Sequence, residues 1–387
     1  MKTRERRLVF ISTMEGSPWG GSEELWSQAA LVLRADGHRV SASVAHSRGP
    51  RPALTRLQEA GIDVHSRRPG PSLLERAWGK VVRGTWGQLP RGETSWLEEQ
   101  RPDLVCISQG GIADGLPWML HCYRAGIPYT AIVQSNAEWL WPDDLQGEEM
   151  ALAYKSATTC FFVSQRNREL LEDQIGHVFA RAALVRNPFK VPSTANPAWP
   201  ASDPDWRLAC VARLDPVAKG QDVLLRVLDG EKWRRRNLKV DFYGTGRCEK
   251  NLRRLADRLK LSNVAFQGHV DDVEQIWADH HGLVLPSRYE GTPLALVEAM
   301  LCARPSIVTD VAGNPELVEH GVSGFVAPGA TVGLLDRALE EAWQRREEWR
   351  QMGKMARQRV TSLVPADPVR QFSDLLIQAG HSRVDAA

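Results

Sequence analysis

Seven residues separate Glu290 from Glu298 in the stretch PSRYEGTPLALVEAM, where the second carboxylate is surrounded by Leu294, Leu296, Val297, Met300 and Leu301. A helix that is apolar on all sides is a buried helix. A carboxylate inside it needs a polar partner or must neutralise. Thr292 is a suitable N-cap and Pro293 a suitable first helical residue, so Gly291, Thr292, Pro293 and Leu294 would present a helix N-terminus to a phosphate or sugar oxygen. A second constellation is VARLDPVAKG, in which Lys219 follows Arg213 by six residues after an apolar run. Two cations on one loop suit a diphosphate, the arginine as a planar fork and the lysine as a point charge. Together the cations and carboxylates fit a nucleotide sugar, with Glu298 tolerated in its apolar helix because a ribose hydroxyl would satisfy it.

Glycines mark two further loops. Gly20 and Gly21 in EGSPWGGSEELW follow the first apolar run, and Gly244 lies in YGTGRCEK. Either allows close backbone approach to a ligand, and either also reads as an ordinary strand-to-helix turn. Neither completes a dinucleotide fingerprint, and RVSASVAHS ends without the acidic residue that would hold a ribose. This argues against a nicotinamide-dependent oxidoreductase. Asp203 and Asp205 in SDPDW resemble a metal-binding pair but fall in a Pro-rich stretch rather than after a nucleotide-binding strand. His280 and His281 read as helix-end and turn residues, and Arg234 to Arg236 as a solvated helix face. Most of the fourteen tryptophans belong in cores; Trp19 and Trp139 follow strands and could stack on a sugar.

These groups need strands and helices to hold them. Short apolar runs alternate with helix-like segments throughout, the pattern of parallel sheets with crossover helices. The runs LVFIS, RVSASV, DLVCIS, YTAIV, TCFFVS and AALV occupy the first half. After NPFKVPSTANPAWPASDPDW the alternation restarts with RLACVARL, KVDFYG, VAFQG, GLVLPS, PSIVT and GFVAP. The expected fold is α/β: two tandem doubly wound Rossmann-like domains at 1–188 and 206–364, a linker at 189–205, and an interdomain cleft. Ligands of such sheets bind beyond the strands' carboxyl ends, where all the motifs above lie. The 387 residues are 43% hydrophobic and 25% charged, as in soluble globular proteins. A net charge of +2 gives no reason to expect a nucleic-acid partner. No apolar run approaches the ~18 residues of a membrane span, and the run in MKTRERRLVFIS is too short for a signal peptide. Six scattered cysteines without a CxxC pair read as reduced core thiols of a cytoplasmic protein.

The order and spacing of these motifs resemble the family 4 retaining glycosyltransferases (glycosyltransferase group 1) of the GT-B fold. The resemblance runs through GGSEELWSQAALVLRADGHRV, CFFVSQRNRELL, VRNPF, ARLDPVAKGQDVLL, YGTGRCEKNLRRLADRLKLSNVAFQGHV, the glutamate pair and TDVAGNPELVEHGVSGFVAP. It implies a retaining hexosyltransferase using a UDP- or GDP-linked sugar, without a metal or other cofactor. Arg213 and Lys219 would grip the diphosphate, Glu290 the donor sugar's hydroxyls and Glu298 the ribose. Gly244 and Val270 would line the donor site, and Gly20 and Gly21 would lie near the donor phosphate or the acceptor. The helix near Pro365 to Ala379 would cross back to the first domain. Members often carry a histidine after the strand corresponding to YTAIV; here Gln134, Ser135 and Asn136 follow. Gln134 can exchange hydrogen bonds with a sugar but cannot shuttle a proton. A nucleotide-sugar or glycan-binding protein of the same fold without catalysis is the other reading, though all four charged residues are retained.

The acceptor would be a glycan, a lipid-linked hydroxyl or a small molecule. Residues 65–92 carry Arg67, Arg68, Arg76, Lys80, Arg83 and Arg91 against Glu75, with Leu73, Leu74, Trp78, Val81, Val82 and Trp86 near helical spacing. Such a segment suits peripheral contact with the inner face of an anionic membrane. Equally, its apolar stripe would pack on the first domain with the arginines solvated.

Overall fold

The computed structural model describes residues 4–14, 19–46, 51–67, 89–200 and 205–380. The chain divides into two compact units, one running to Pro188 and resuming at Asp367, the other Phe189–Ala366.

The first unit is built on a parallel sheet of seven strands, β1 (Arg7–Ser12), β2 (Arg39–Ala45), β3 (Asp63–Arg67), β4 (Leu104–Gln109), β5 (Tyr129–Val133), β6 (Thr159–Phe162) and β7 (Ala182–Leu184). Their order is β3-β2-β1-β4-β5-β6-β7. The central strands are near-continuous apolar runs because helices cover both faces: β4 and β5 are buried at every position. The edge strands differ: β7 has no buried residue and β3, DVHSR, a single one, Arg67; β3 carries no apolar run for sequence reading to find. The last helix, Pro368–Ala379, belongs to this unit. Its Phe372 meets Phe161 edge-on at 5.2 Å, and its Arg370 pairs with Asp36 at 2.5 Å.

The second unit has six parallel strands, β8 (Trp206–Val211), β9 (Leu238–Tyr243), β10 (Val264–Gly268), β11 (Gly282–Leu285), β12 (Ser306–Thr309) and β13 (Gly324–Ala327), ordered β10-β9-β8-β11-β12-β13. Successive strands are added outward in one direction from β8 and in the other from β11, so the strand order reverses between these two parallel neighbours. That is the topological switch point where open α/β sheets place ligands.

The Pro-rich stretch expected as a linker is, over its described part, structure of the second unit. Val191 and Ala195 are buried in the core with Leu283, Leu296 and Met300. Arg304, 2% exposed, donates to the carbonyls of Ala198, Trp277, His280 and Cys302 and so ties the stretch to two helix ends. The Arg234–Arg236 run is not uniformly solvated either: Arg236 forms a two-pronged pair with Glu340, both contacts 2.8 Å, and lies over the Trp233 ring. The cysteines are free thiols, and burial pushes five of them, Cys106, Cys122, Cys160, Cys210 and Cys302, up to about 12. No described helix is long and apolar enough to cross a membrane.

Candidate functional site

In the second unit the turns after β8 and β11 meet. The turn after β8 carries Arg213, then a four-residue helix, Pro216–Lys219, whose last residue is the candidate cation. Gly220 ends it in the left-handed region at φ +63°, and a Cβ there would lie 1.9 Å from the Pro286 carbonyl oxygen. Only glycine lets this turn close onto the β11 turn. Lys219 Nζ then lies 2.6 Å from Glu290 Oε1, which also accepts from Ser287 Oγ at 2.8 Å. The β11 turn is fixed from its other side too. Thr309 Oγ1 donates to the Ser287 carbonyl at 2.6 Å, and the Gly313 amide to the Gly291 carbonyl at 2.9 Å. Glu290 is therefore a buried carboxylate on a rigid turn beside a half-buried ammonium.

Arg213 differs from Lys219. Its backbone is held, with Gln221 Nε2 donating to its carbonyl at 2.6 Å, but its side chain is exposed and makes no hydrogen bond to a described residue. An exposed cation on the same turn as a neutralised one suits an anion with several oxygens. Gly244 follows β9 at φ +121°, where a Cβ would come within 2.2 Å of the Ala212 carbonyl oxygen. Glycine is thus needed there to bring the β9 turn against the β8 turn. Val270, after β10, packs at the edge of the core around Leu283 and Leu296.

The helix carrying Glu298 spans Leu294–Leu301, and its N-cap is Pro293, extended at ψ 127°, with no side-chain cap hydrogen bond. The expected Thr292 cap is displaced by one residue. Leu296 and Val297 donate to the Pro293 carbonyl, whose φ of −64° fits the boundary of a helix. Glu298 is 4% exposed and already has a protein partner: the Lys190 backbone N–H donates to its Oε1 at 2.9 Å. Burial pushes its carboxyl above the ordinary range, opposed by that N–H and by the Lys190 charge. Lys190 escaped sequence reading because it contributes a backbone amide, which carries no side-chain signature.

The first unit has its own cluster at the corresponding strand ends. Gly20 caps the helix Gly21–Ala35 in extended backbone. Gln134, 6% exposed, donates to the Ser22 carbonyl at 3.2 Å and accepts from Asn187 Nδ2 at 2.8 Å. Gln134 thus ties the helix start near Gly20 and Gly21 to the chain near Asn187. Glu23 is buried there, its Oε2 accepting from Ser12 Oγ at 2.6 Å and Trp26 Nε1 at 3.0 Å; burial raises its pKa. Arg67 is 8% exposed, bonded to Ser43 and the Ser12 carbonyl, and over the Trp118 ring. It is an interior residue, not part of a solvated basic face. Of the basic amphipathic segment, Arg68, Arg76, Lys80, Arg83 and its apolar stripe lie outside the described residues, as does Asp203. Trp139 is 57% exposed, whereas Trp19 is half-buried and donates to Glu24 at 2.9 Å. His280 and His281 are helix-end residues: His280 caps its helix through the Ile276 carbonyl, 2.7 Å away, and pairs with Asp241 at 2.9 Å, while His281 Nδ1 accepts from the Arg207 amide.

Residues 206–345 match the family described as glycosyl transferases group 1. The site derived above lies within that span. Most of the second unit is thus similar to glycosyl transferases group 1. Among curated relatives, the N-acetyl-alpha-D-glucosaminyl L-malate synthase of Bacillus anthracis is 38% identical over 98 residues, 25% of this chain and 26% of that protein. The O-antigen chain mannosyltransferase C of Escherichia coli is 31% identical over 154 residues, 38% of this chain and 40% of that protein. The chain thus spans well under half of either relative. Likeness of fold extends further. Anabaena HepE, solved with UDP, aligns over 96% of this chain and 100% of its own with a TM-score of 0.73 at 18% identity. The sucrose-phosphate synthase of Thermosynechococcus elongatus aligns over 96% and 99% with a TM-score of 0.70 at 17% identity. The fold of the chain, two parallel α/β sheets with helices, is therefore GT-B.

Proposed function

We propose that this protein is a retaining glycosyltransferase that moves a hexose from a UDP- or GDP-linked donor to a hydroxyl acceptor in glycan, polysaccharide or glycolipid synthesis. The observation that carries the reading is the meeting of Lys219 with Glu290 at 2.6 Å, at the switch point of a group 1 domain. Arg213 and Lys219 neutralise the departing diphosphate, which is where negative charge grows during transfer. Glu290 accepts hydrogen bonds from the donor sugar's hydroxyls, and Glu298 from the ribose. The turn of Gly291, Thr292, Pro293 and Leu294, with Gly244 and Val270, completes the donor side. Gly20, Gly21 and Gln134 are assigned to contacts of the first unit with donor or acceptor. Attack comes from the face the diphosphate leaves, with a donor phosphate oxygen taking the acceptor's proton, so the protein's part is positioning and electrostatic stabilisation. With two cations in that role the scheme calls for no metal.

A UDP-sugar is the first donor to try, since HepE has been solved with UDP, with UDP and glucose, and with UDP-glucose. A thermal-shift screen against UDP, GDP, ADP and their sugars tests the reading. Stabilisation by one diphosphate and its sugar supports it; no stabilisation by any contradicts it.

A further inference from the structure

We infer that Arg288 is a positioning residue: it sets the turn that carries Lys219 and so fixes the cation offered to a diphosphate. The inference rests on the donor reading above and assigns a role to a residue that touches neither phosphate nor sugar in that reading. Arg288 lies on the β11 turn, two residues before Glu290. Its backbone N–H donates to the Ala218 carbonyl at 2.8 Å. Its guanidinium reaches over the helix Pro216–Lys219, with Nη1 donating to the Pro216 carbonyl at 2.5 Å and to Asp222 Oδ1 at 2.7 Å. Nη2 donates to Asp222 Oδ2 at 3.0 Å. One side chain thus holds both the first residue of the short helix and the second residue of the helix that follows it, Gln221–Leu228.

Lys219 lies between those two anchors. Its own amide donates to the Asp215 carbonyl at 2.8 Å, and Gly220 behind it is pressed against Pro286. With backbone and both flanks fixed, the ammonium is delivered to Glu290 without a search through alternative turn conformations, which is preorganisation in the energetic sense. The chemistry of the anchor is specific to arginine. Two nitrogens engage one carboxylate and one of them also serves a carbonyl, which a lysine ammonium on a flexible stem cannot reproduce. Both terminal nitrogens are engaged and the Asp222 carboxylate neutralises them, so Arg288 acts as scaffold rather than as a phosphate ligand. Asp222, held below its ordinary carboxylate range despite burial, with Arg288 foremost among the opposing causes, is consistent with a standing ion pair.

The test is a double-mutant cycle on the full chain with UDP as the titrant, read by calorimetry. Arg288→Gln and Asp222→Asn should each weaken UDP binding by about tenfold, an amount typical of one misplaced charge-assisted contact. In a Lys219→Ala background neither should weaken it further, because both act through Lys219. Amide hydrogen exchange at Ala218 to Gly220 should accelerate by roughly tenfold or more in Arg288→Gln and stay near wild type in Lys219→Ala. Arg288→Lys, which keeps the charge without the fork, should behave like Arg288→Gln; Asp222→Asn serves the same purpose if the Arg288 variants do not fold. Wild-type affinity in Arg288→Gln, or a loss that simply adds to that of Lys219→Ala, overturns the role of Arg288. Wild-type affinity in Lys219→Ala instead overturns the diphosphate reading on which it rests.

Discussion

Lys219 Nζ and Glu290 Oε1 are 2.6 Å apart although 71 residues separate them in the chain. The two groups have side-chain exposures of 19% and 6%, so the attraction is far less screened than at an open surface. A bound diphosphate would compete with Glu290 for the ammonium, whereas Arg213 has no such internal commitment.

This asymmetry separates stability from binding. Lys219→Ala leaves a buried carboxylate short of a charged partner and should lower unfolding stability by about 1–3 kcal/mol. Arg213→Ala removes an exposed side chain and should stay within about 0.5 kcal/mol of wild type. Urea unfolding of the two variants checks the difference.

The two glutamates should separate by readout. Glu290→Gln should cut turnover much more than it weakens binding of free nucleotide, because the proposed function assigns it to the sugar, where charge develops; Glu298→Gln, assigned to the ribose, should weaken both together. Glu298 also makes a prediction without ligand. Its folded pKa is raised above the ordinary 4.5, so between those values the folded state binds more protons than the unfolded one. Stability from this group therefore falls as pH rises from about 4.5 through the folded pKa. Glu298→Gln removes that penalty and keeps an acceptor for the Lys190 amide, so at pH 7 its unliganded melting temperature should equal or exceed wild type. Differential scanning fluorimetry at pH 5 and pH 7 reads this directly.

His281 gives the opposite dependence. Burial first, then the charges of Arg304 and His280, push its pKa down from 6.5 to about 4. Between these values the unfolded state takes up the proton and the folded state does not, so stability falls as pH drops from about 6.5 to 4. At 1.36 kcal/mol per unit the full effect is ~3 kcal/mol. In His281→Asn, whose amide oxygen can still accept from the Arg207 N–H, urea midpoints should depend less on pH over that window than in wild type.

Among the described residues Arg304 hydrogen-bonds only to backbone carbonyls, and burial lowers its pKa to about 10. Arg304→Met leaves several buried carbonyls without donors, each costing about 1–3 kcal/mol. Arg304→Lys cannot reach them all from one ammonium. Both variants should expose residues 189–200 to rapid hydrogen exchange, with the first unit's exchange unchanged.

Strand runs and the polarity of their ends were legible because a strand buried on both faces must be apolar, as β5 and β11 are. β3 was not, since an edge strand whose one buried residue is an arginine has no such signature. The candidate site's charged residues stand out in the sequence by type and by placement after strands, and the structure brings Lys219 and Glu290 together. What holds them was not: the Lys190 amide on Glu298, the Arg288 fork and the carbonyls around Arg304 are long-range contacts, most of them to backbone, that no local pattern encodes. The same blindness made 189–205 read as a linker, since the place of residues 189–200 in the second unit depends on where Arg304 reaches and on the burial of Val191 and Ala195.

The most direct test of the account is a calorimetric titration of UDP, with GDP as the alternative diphosphate, into wild type and the Arg213→Ala, Lys219→Ala double variant. The account predicts saturable binding to wild type and a loss of about 1.5–3 kcal/mol for each charge-assisted contact removed, seen also with UDP-glucose. Equal affinity in both proteins would contradict it, as would wild type that binds neither diphosphate.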